Sequence, residues 1–171
     1  FIEPPGPPVR AMRTPPGPTP LLSFCGGGKD SLVALKLLER AGLPFATLGY
    51  AHSIYGGAAH QMALLDQVAG ATARVRAERQ WVLDDFMDTP AVALRPELGV
   101  RSILAAETPA SVFAALPLAL ARGYRWLVVA HESSANAPNR AWDGEPVDNQ
   151  WGKGCEAEQL LDRYVREELL A

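Results

Sequence analysis

The stretch FCGGGKDS, residues 24–31, lies between a short apolar run that begins at Leu21 and the helix-like sequence LVALKLLERAG. The pattern predicts a buried strand over residues 21–25 and a helix over 30–41 that Gly42 closes. Three consecutive glycines let the backbone curl tightly and bring bare N–H groups against an anion, where the helix N-terminus adds partial positive charge. A plain turn needs only one glycine, so the stretch favours a phosphate-binding loop.

Two common nucleotide loops do not fit this stretch. A Walker A loop needs a hydroxyl residue directly after its lysine, but Asp30 follows Lys29, and Ser23 stands where its first glycine belongs. The dinucleotide fingerprint would need glycine at position 29 or 31. The pattern that remains, GGKDS at 27–31, resembles the PP-loop of the ATP pyrophosphatases, which cleave ATP between the α and β phosphates.

That resemblance implies ATP and magnesium at the loop. Lys29 would offset phosphate charge, and Asp30 would hold the metal ion, since a carboxylate is useful beside phosphates only if a cation joins them. Gly26 stands where the motif usually begins with a serine. The contact that this serine's hydroxyl would make is therefore missing or is supplied by Cys25 or Ser23. The residues expected to contact the nucleotide are Gly26, Gly27, Gly28, Lys29, Asp30, Ser31 and, after the second strand, His52.

Composition sets broader limits. A chain of 171 residues with 48% hydrophobic and 20% charged residues is typical of one globular domain. The net charge of −3 gives no electrostatic reason to expect a nucleic-acid partner. Two distant cysteines form no metal or disulfide pattern, and no apolar run reaches about 18 residues, so we expect a cytoplasmic protein without a membrane partner. The chain begins with Phe1, which suggests a piece of a longer protein.

The first 20 residues hold eight of the 15 prolines. Proline favours extended backbone and removes donors, so this stretch is predicted to be a linker or a wrapping arm. A more specific alternative is that a proline-binding module of another protein recognises this stretch. The nucleotide-binding domain is expected over 21–171.

Short apolar runs alternate with helical stretches through that domain. Alternation of this kind implies an α/β fold with an open, mostly parallel sheet and helices on both faces. Residues 78–106 show no clear pattern. Thr108 and Pro109 are a plausible cap and first position of a helix that Gly123 ends. The predicted strands are 21–25, 45–50, 72–77 and 124–130, and the predicted helices are 30–41 (with Leu32, Leu35, Leu37 and Leu38 inward), 58–68, 108–121 and 156–169.

A second polar constellation follows the predicted strand at 124–130. It comprises VVAHESSANAPNRAW (128–142) and VDNQWGKGCEAEQLL (147–161). A solvated loop would explain the Ser, Asn and Pro residues but not so dense a set of groups able to bind or transfer protons. The residues singled out are His131, Glu132, Asn136, Asn139, Gln150, Trp151, Lys153 and Glu156.

These segments, with YAHSIYGGA (50–58) and AAETPASVFAALPLAL (105–120), together resemble the UDP-N-acetylmuramoyl-L-alanyl-L-glutamate epimerases from residue 21 to the end. The resemblance implies an enzyme of peptidoglycan-precursor synthesis. It would adenylate the terminal L-glutamate carboxylate of a nucleotide-linked muramoyl dipeptide, invert the α-carbon and release AMP and pyrophosphate. Implied catalytic residues are Lys29, Asp30, His131, Lys153 and Glu156; implied substrate contacts are Glu107, Glu132, Ser134, Asn136, Asn139, Gln150 and Trp151.

The chain departs from that family at three further positions. Ser133 stands where the family usually has arginine, and Asp148-Asn149 where it usually has Asn-His. These changes remove a planar guanidinium suited to carboxylates and an imidazole suited to proton transfer. A different PP-loop enzyme, tRNA-modifying or amide-forming, and a non-catalytic ATP-binding module therefore stay open, although a tRNA enzyme predicts a basic surface or zinc cysteines.

Several single residues have two interpretations. Cys25 and Cys155 could be nucleophiles or ordinary structural residues, and His52 could contact nucleotide or only support the fold. Glu107 could be a capping acid or a site residue. A solvent-exposed face is predicted for His60 and for the acidic cluster Asp84, Asp85 and Asp88. The more specific alternative is that the acidic cluster binds magnesium.

Overall fold

A computed structural model describes residues 15–83, 85, 89–90, 94 and 107–169. Its centre is a sheet of four parallel strands in the order β3-β2-β1-β4. The predicted open parallel sheet is therefore confirmed. The strands are β1 (Leu21–Cys25), β2 (Phe45–His52), β3 (Arg76–Val82) and β4 (Trp126–Val128).

Helices cover both faces of this sheet. The helices are α1 (Lys29–Arg40), α2 (Ala58–Gly70), α3 (Glu107–Arg122) and α4 (Cys155–Tyr164), the last continued by a π-helical turn at Val165–Leu169. A separate antiparallel hairpin, β5 (Arg140–Trp142) and β6 (Glu145–Val147), lies outside the main sheet. No helix in the described part of the chain is long and apolar enough to span a membrane.

Two apolar clusters fix the layers, because successive residues of a strand point to opposite faces. One cluster joins β1 and β2 to α1 and α2, and the other joins the same strands to α3. The first contains Cys25, Leu35, Phe45, Ala51, Leu65 and Ala69. The second contains Leu22, Ala46, Leu48, Ala115, Ala119 and Tyr124.

The strand order places a topological switch point beside β1. The chain proceeds outward from β1 to β2 and β3, and then returns through α3 on the other face to β4, which pairs with β1. In open parallel sheets, ligands bind beyond the carboxyl ends of the strands at such a point. The glycine loop after β1 and the polar segment after β4 both lie there.

Four predictions from the sequence need correction, three on where elements begin or end and one on burial. The third strand covers 76–82 rather than 72–77. It is an edge strand with mostly exposed residues, so its polar sequence RAERQ lacks the apolar pattern from which a strand is predicted. The fourth strand has three residues rather than seven. Thr108 lies within α3 and is not its cap. Leu37 was expected to face inward but is 58% exposed.

The described part of the proline-rich stretch, residues 15–20, runs beside the end of α3. Gly17 N–H donates to the Gly123 carbonyl at 3.0 Å, and the N–H groups of Arg125 and Trp126 donate to the Pro20 carbonyl at 2.8 and 3.1 Å. A Cβ atom at Gly17 would collide with the Arg122 carbonyl. Residues 15–20 thus pack closely against the chain that leads into β4; residues 1–14 lie outside the described part.

Candidate functional site

A cleft of about 570 Å³ opens at the carboxyl edge of the sheet. The glycine loop, α2, the start of α3, the segment after β4 and the turn Trp151–Lys153 all contribute to its walls. The structure thereby brings together two constellations that are about 100 residues apart in sequence. Of the predicted site residues, those that line the cleft are Gly26, Asp30, Ser31, Glu107, His131, Glu132 and Lys153.

The glycine loop has the form expected of an anion cradle. Gly26 N–H donates to Ser31 Oγ at 3.1 Å, and Gly27 adopts a positive φ of 80° that non-glycine residues avoid. Gly28 begins α1 in extended conformation with no side-chain cap. Because no described side chain occupies the first N–H groups of α1, they suit the oxygen atoms of a phosphate.

Lys29 connects this loop to the segment after β4. Its Nζ lies 2.8 Å from Asp30 Oδ1 and 3.7 Å from Glu132 Oε2. The hydrogen bond that Lys29 donates to Asp30, and then the charges of both carboxylates, raise the pKa of Lys29. All three side chains are substantially exposed, so these pairs add little to stability. A phosphate could therefore take the place of the carboxylates beside Lys29, and a cation the place of Lys29 beside Asp30, with little loss of free energy.

Asp30 is the residue of the loop whose chemistry could hold a magnesium ion together with phosphate. Its carboxylate lines the cleft and is 45% exposed, and magnesium usually takes one or two carboxylates together with phosphate oxygens and water. Across the described residues no group of three or more His, Cys, Asp or Glu side chains could hold a metal alone. Two members of the acidic cluster, Asp84 and Asp88, lie outside the described residues.

A side-chain bridge joins two segments that line the cleft. Tyr55, in the turn after β2, donates its hydroxyl to Glu107 Oε2 at 2.6 Å. Burial, and then the bond to Glu107, raises the pKa of Tyr55 well above its usual range. The bridge links the turn after β2 to the first turn of α3, so it sets where the Glu107 carboxylate stands in the cleft.

Gln61 shapes the turn that carries Tyr55. Its Oε1 accepts from the N–H of His52 at 3.1 Å, and its Nε2 donates to the carbonyls of His52 and Gly56 at 2.8 and 2.9 Å. His52 itself is 7% exposed, and its Nδ1 accepts from Ile54 N–H at 3.3 Å. The structure does not bring this predicted nucleotide contact to the cleft. His60, expected on a solvated face, does line it.

Much of the second constellation forms a scaffold beside the cleft. Asn136 Oδ1 accepts from Cys155 N–H at 2.6 Å, and Asn139 Oδ1 accepts from Asn149 N–H at 3.3 Å. Trp151 Nε1 donates to Glu156 Oε2 at 2.9 Å. These contacts hold the start of α4 and the hairpin in place. The predicted site residues that do not line the cleft are Gly27, Gly28, Lys29, His52, Ser134, Asn136, Asn139, Gln150, Trp151 and Glu156.

The two cysteines differ in environment. Cys25 is fully buried and its Sγ lies 3.9 Å from the Leu65 carbonyl, while burial raises the pKa of its thiol. A raised pKa keeps the sulfur protonated, so Cys25 has the character of a small apolar core residue. Cys155 is exposed at the start of α4.

Sequence reasoning missed Tyr55, Gln61 and Ser111 in the walls of the cleft, and Glu158 beside it. The first two stand in or next to the YAHSIYGGA segment, whose double glycine marks a turn after a strand. That turn signal could have drawn attention to Tyr55. Nothing in the sequence links Glu158 to residues after β4, because the contact depends on how α4 packs.

Comparisons with known proteins point to one enzyme group. Residues 108–171 match the family described as the MurL N-terminal domain. Over 153 residues the chain is 31% identical to the UDP-N-acetyl-alpha-D-muramoyl-L-alanyl-L-glutamate epimerase of Micromonospora sp., and over 149 residues 32% identical to the enzyme of that name from Salinispora tropica. Both alignments cover 85% of this chain but 30% and 29% of the relatives, so the chain spans less than a third of their length.

Among solved structures, a universal stress protein in complex with cAMP aligns with 66% of this chain and 96% of its own. Its sequence identity is 15% and its TM-score is 0.28. At that TM-score the likeness supports no statement about fold or ligand.

Proposed function

We propose that this chain is the ATP-binding part of a UDP-N-acetylmuramoyl-L-alanyl-L-glutamate epimerase. The enzyme would convert the terminal L-glutamate to D-glutamate through a carboxyl adenylate and release AMP and pyrophosphate. One observation carries the proposal: a single cleft at the switch point gathers the glycine loop, the His131-Glu132 pair and Lys153. The names of the two curated relatives support the choice of reaction and substrate.

At the nucleotide end, the loop would hold the phosphates of ATP. The Ser31 oxygen already accepts from Gly26 N–H, which leaves the hydroxyl hydrogen available to a phosphate oxygen. Asp30 would hold magnesium, and the ion, when bound, would neutralise charge on the phosphates. Lys29 would exchange its contacts with Asp30 and Glu132 for the leaving pyrophosphate.

In the same cleft, Lys153 offers a cation to a carboxylate-bearing substrate. Activation of that carboxylate explains why ATP is needed. Removing an α-proton beside a free carboxylate puts a second negative charge next to the first, whereas an adenylate has lost that charge and its carbonyl can accept the electron pair. The glycine loop would thus prepare the substrate, and the polar segment after β4 would act on it.

Solvent labelling tests this function directly. In deuterated water, the whole enzyme that contains this chain, given the UDP-linked dipeptide, ATP and magnesium, should give glutamate with deuterium at the α-carbon, and without ATP it should give none. Labelling without ATP would contradict the adenylation step. AMP release without any label would instead indicate acyl transfer, as in amide formation, and ATP binding with neither product would indicate a nucleotide-binding module.

A further inference from the structure

His131 stands in an asymmetric environment that selects one of its two nitrogen atoms. The residue follows β4 and lines the cleft, with 15% of its side chain exposed. Its Nδ1 is buried and makes no hydrogen bond, while Glu158 Oε2 lies 3.5 Å away. Only the Nε2 side of the ring can therefore meet a molecule in the cleft. A carboxylate beside Nδ1 favours the tautomer with its proton there, which leaves the lone pair on Nε2.

Two contacts fix the start of α4, which carries Glu158, relative to the segment that carries His131. Asn136 Oδ1 accepts from Cys155 N–H at 2.6 Å, so the loop after β4 caps α4. Gly154 packs so closely that a Cβ atom there would lie 2.8 Å from the Ala135 carbonyl. Glu158 N–H then donates to the Gly154 carbonyl at 3.0 Å, within the first turn of α4. The helix N-terminus also stabilises a carboxylate at this position.

The other acidic and basic side chains of the cleft either contact another residue or suit a role other than taking a proton from the substrate. Glu132 faces Lys29, and Glu107 accepts the hydroxyl of Tyr55. Asp30 belongs to the phosphate end, and Lys153 is a cation suited to a carboxylate. His60 lies on α2 one turn before Leu64, which packs against Gly27, and so stands on the nucleotide side of the cleft. His131 is left as the cleft residue with a ring nitrogen, Nε2, that has no assigned partner among the described residues.

We propose that Glu158 is the positioning residue that holds His131 with Nε2 toward the substrate, and that His131 takes the α-proton; this rests on the proposed epimerase function. The C–H bond breaks as Nε2 binds the proton, and its electron pair moves to the carbonyl of the activated carboxylate. A proton from solvent then adds to the opposite face of the α-carbon, and His131 returns its proton to solvent. Glu158 offsets the positive imidazolium charge, and its 3.5 Å contact shortens as that charge forms.

Imidazole nitrogen NMR tests the geometry in the chain itself. The sequence has only three histidines, so His52→Gln, His60→Gln and His131→Gln assign every signal. We expect the neutral His131 ring to carry its proton on Nδ1. Glu158→Ala should shift the ratio of tautomers several-fold toward Nε2–H, whereas Glu158→Gln, which keeps an acceptor oxygen, should preserve it. Asp162→Asn, which removes a carboxylate further along α4 that pairs with Arg166, is the matched control and should change nothing.

The labelling assay tests the chemical role. Glu158→Ala should lower the rate of deuterium incorporation by about 10–100-fold, the usual effect of removing the partner that orients a working histidine, and leave the KM for ATP unchanged. If wild type incorporates label and Glu158→Ala matches it, the positioning role is wrong and the epimerase function stands. If the whole wild-type enzyme binds ATP yet never labels the α-carbon, both the function and the proton transfer are wrong. An unaltered tautomer ratio in Glu158→Ala overturns the orienting contact in either case.

Discussion

The hydroxyl oxygen of Ser31 accepts a hydrogen bond from the backbone N–H of Gly26 at 3.1 Å, and this bond closes the glycine loop on itself. Gly26 directly follows β1, and Ser31 lies in the first turn of α1 and is 8% exposed. The bond therefore fixes the distance between the end of the strand and the start of the helix. The N–H groups between them are held in a curled arrangement by the protein itself, which reduces the entropy lost when an anion binds.

Two adjacent glycines in this loop should respond differently to substitution. Gly27→Ala should lower the free energy of unfolding by about 1–2 kcal/mol, because φ is +80° and a Cβ would stand 3.2 Å from Leu65 Cδ2. Gly26→Ala should change it by less than about 0.5 kcal/mol, since the nearest atom to its Cβ is Ser31 Oγ at 3.9 Å. Urea unfolding of both variants measures the difference; equal losses would contradict the conformation assigned to Gly27.

The free space at Gly26 also bears on nucleotide binding. A serine there would supply the hydroxyl with which the PP-loops that this stretch resembles usually begin, and the 3.9 Å gap to Ser31 leaves room for its side chain. Gly26→Ser should tighten ATP binding by up to about tenfold, the effect of one hydrogen bond to a charged group. Titration calorimetry against wild type and Gly26→Ala provides the comparison. Tightening in Gly26→Ala as well would show that the hydroxyl is not responsible.

Asp30→Asn tests the proposed metal contact. ATP turnover with magnesium should lose about 2 kcal/mol or more of transition-state stabilisation, since the amide cannot supply the negative charge that holds the ion. The fold should survive, because the Asp30 side chain is 45% exposed. Glu39→Gln, which removes a carboxylate at the other end of α1, is the control. Turnover at the wild-type rate in Asp30→Asn would exclude a role for this carboxylate.

The sequence predicted the parts of the fold that depend on local pattern. Leu21 and its apolar neighbours, the three glycines and the helix ended by Gly42 are all local signals, and these elements were found close to their predicted bounds. The β5–β6 hairpin was missed although its signal was present. Asp143 and Gly144 form a two-residue turn in which both have positive φ (50° and 82°), the type that Asp-Gly favours.

The third strand and the details of the site were harder to predict because they depend on tertiary contacts. A glutamate at position 78 disfavours the prediction of a buried strand. Only the contacts with Tyr124 and Arg122, which come from a distant part of the sequence, explain how its carboxylate is buried. Likewise the sequence selected Glu156, whose carboxylate accepts from Trp151, whereas Glu158 is the acid that approaches His131. The two glutamates are two positions apart, and only the rotation of α4 against the loop after β4 determines which of them approaches His131.

Glu78 is a buried carboxylate whose loss should be costly. It is 8% exposed, and its Oε1 lies 2.7 Å from Arg76 Nε, 3.0 Å from the Tyr124 hydroxyl and 3.6 Å from Arg122 Nε. Glu78→Gln should lower the free energy of unfolding by about 2–3 kcal/mol, as expected for charged hydrogen bonds out of water. Asp66→Asn, which breaks the exposed pair with Arg79, should cost less than about 1 kcal/mol. Similar losses would contradict the buried network.

Tyr124 should make stability depend on alkaline pH. Burial, and then its bond to Glu78, raises the pKa of Tyr124 from 10.0 to about 12. Below pH 10 the tyrosine is protonated in both states and its contribution is complete. Between pH 10 and 12 the unfolded chain releases the proton while the folded chain keeps it, so stability falls as pH rises. Above about pH 12 both states are ionised and the contribution is lost.

Urea midpoints measured from pH 9 to pH 12 test this dependence. The wild-type midpoint should fall across the window, and Tyr124→Phe should be less stable at pH 9 yet lose less stability between pH 10 and 12. Tyr55→Phe is a useful second variant, because the pKa of Tyr55 is also raised, by burial and by its bond to Glu107. The double variant Tyr55→Phe/Tyr124→Phe should therefore show the smallest fall in urea midpoint between pH 10 and 12. Titratable groups that all variants share contribute equally to each profile, so they do not affect this comparison. A Tyr124→Phe profile parallel to wild type would mean that Tyr124 does not keep its proton through its contact with Glu78.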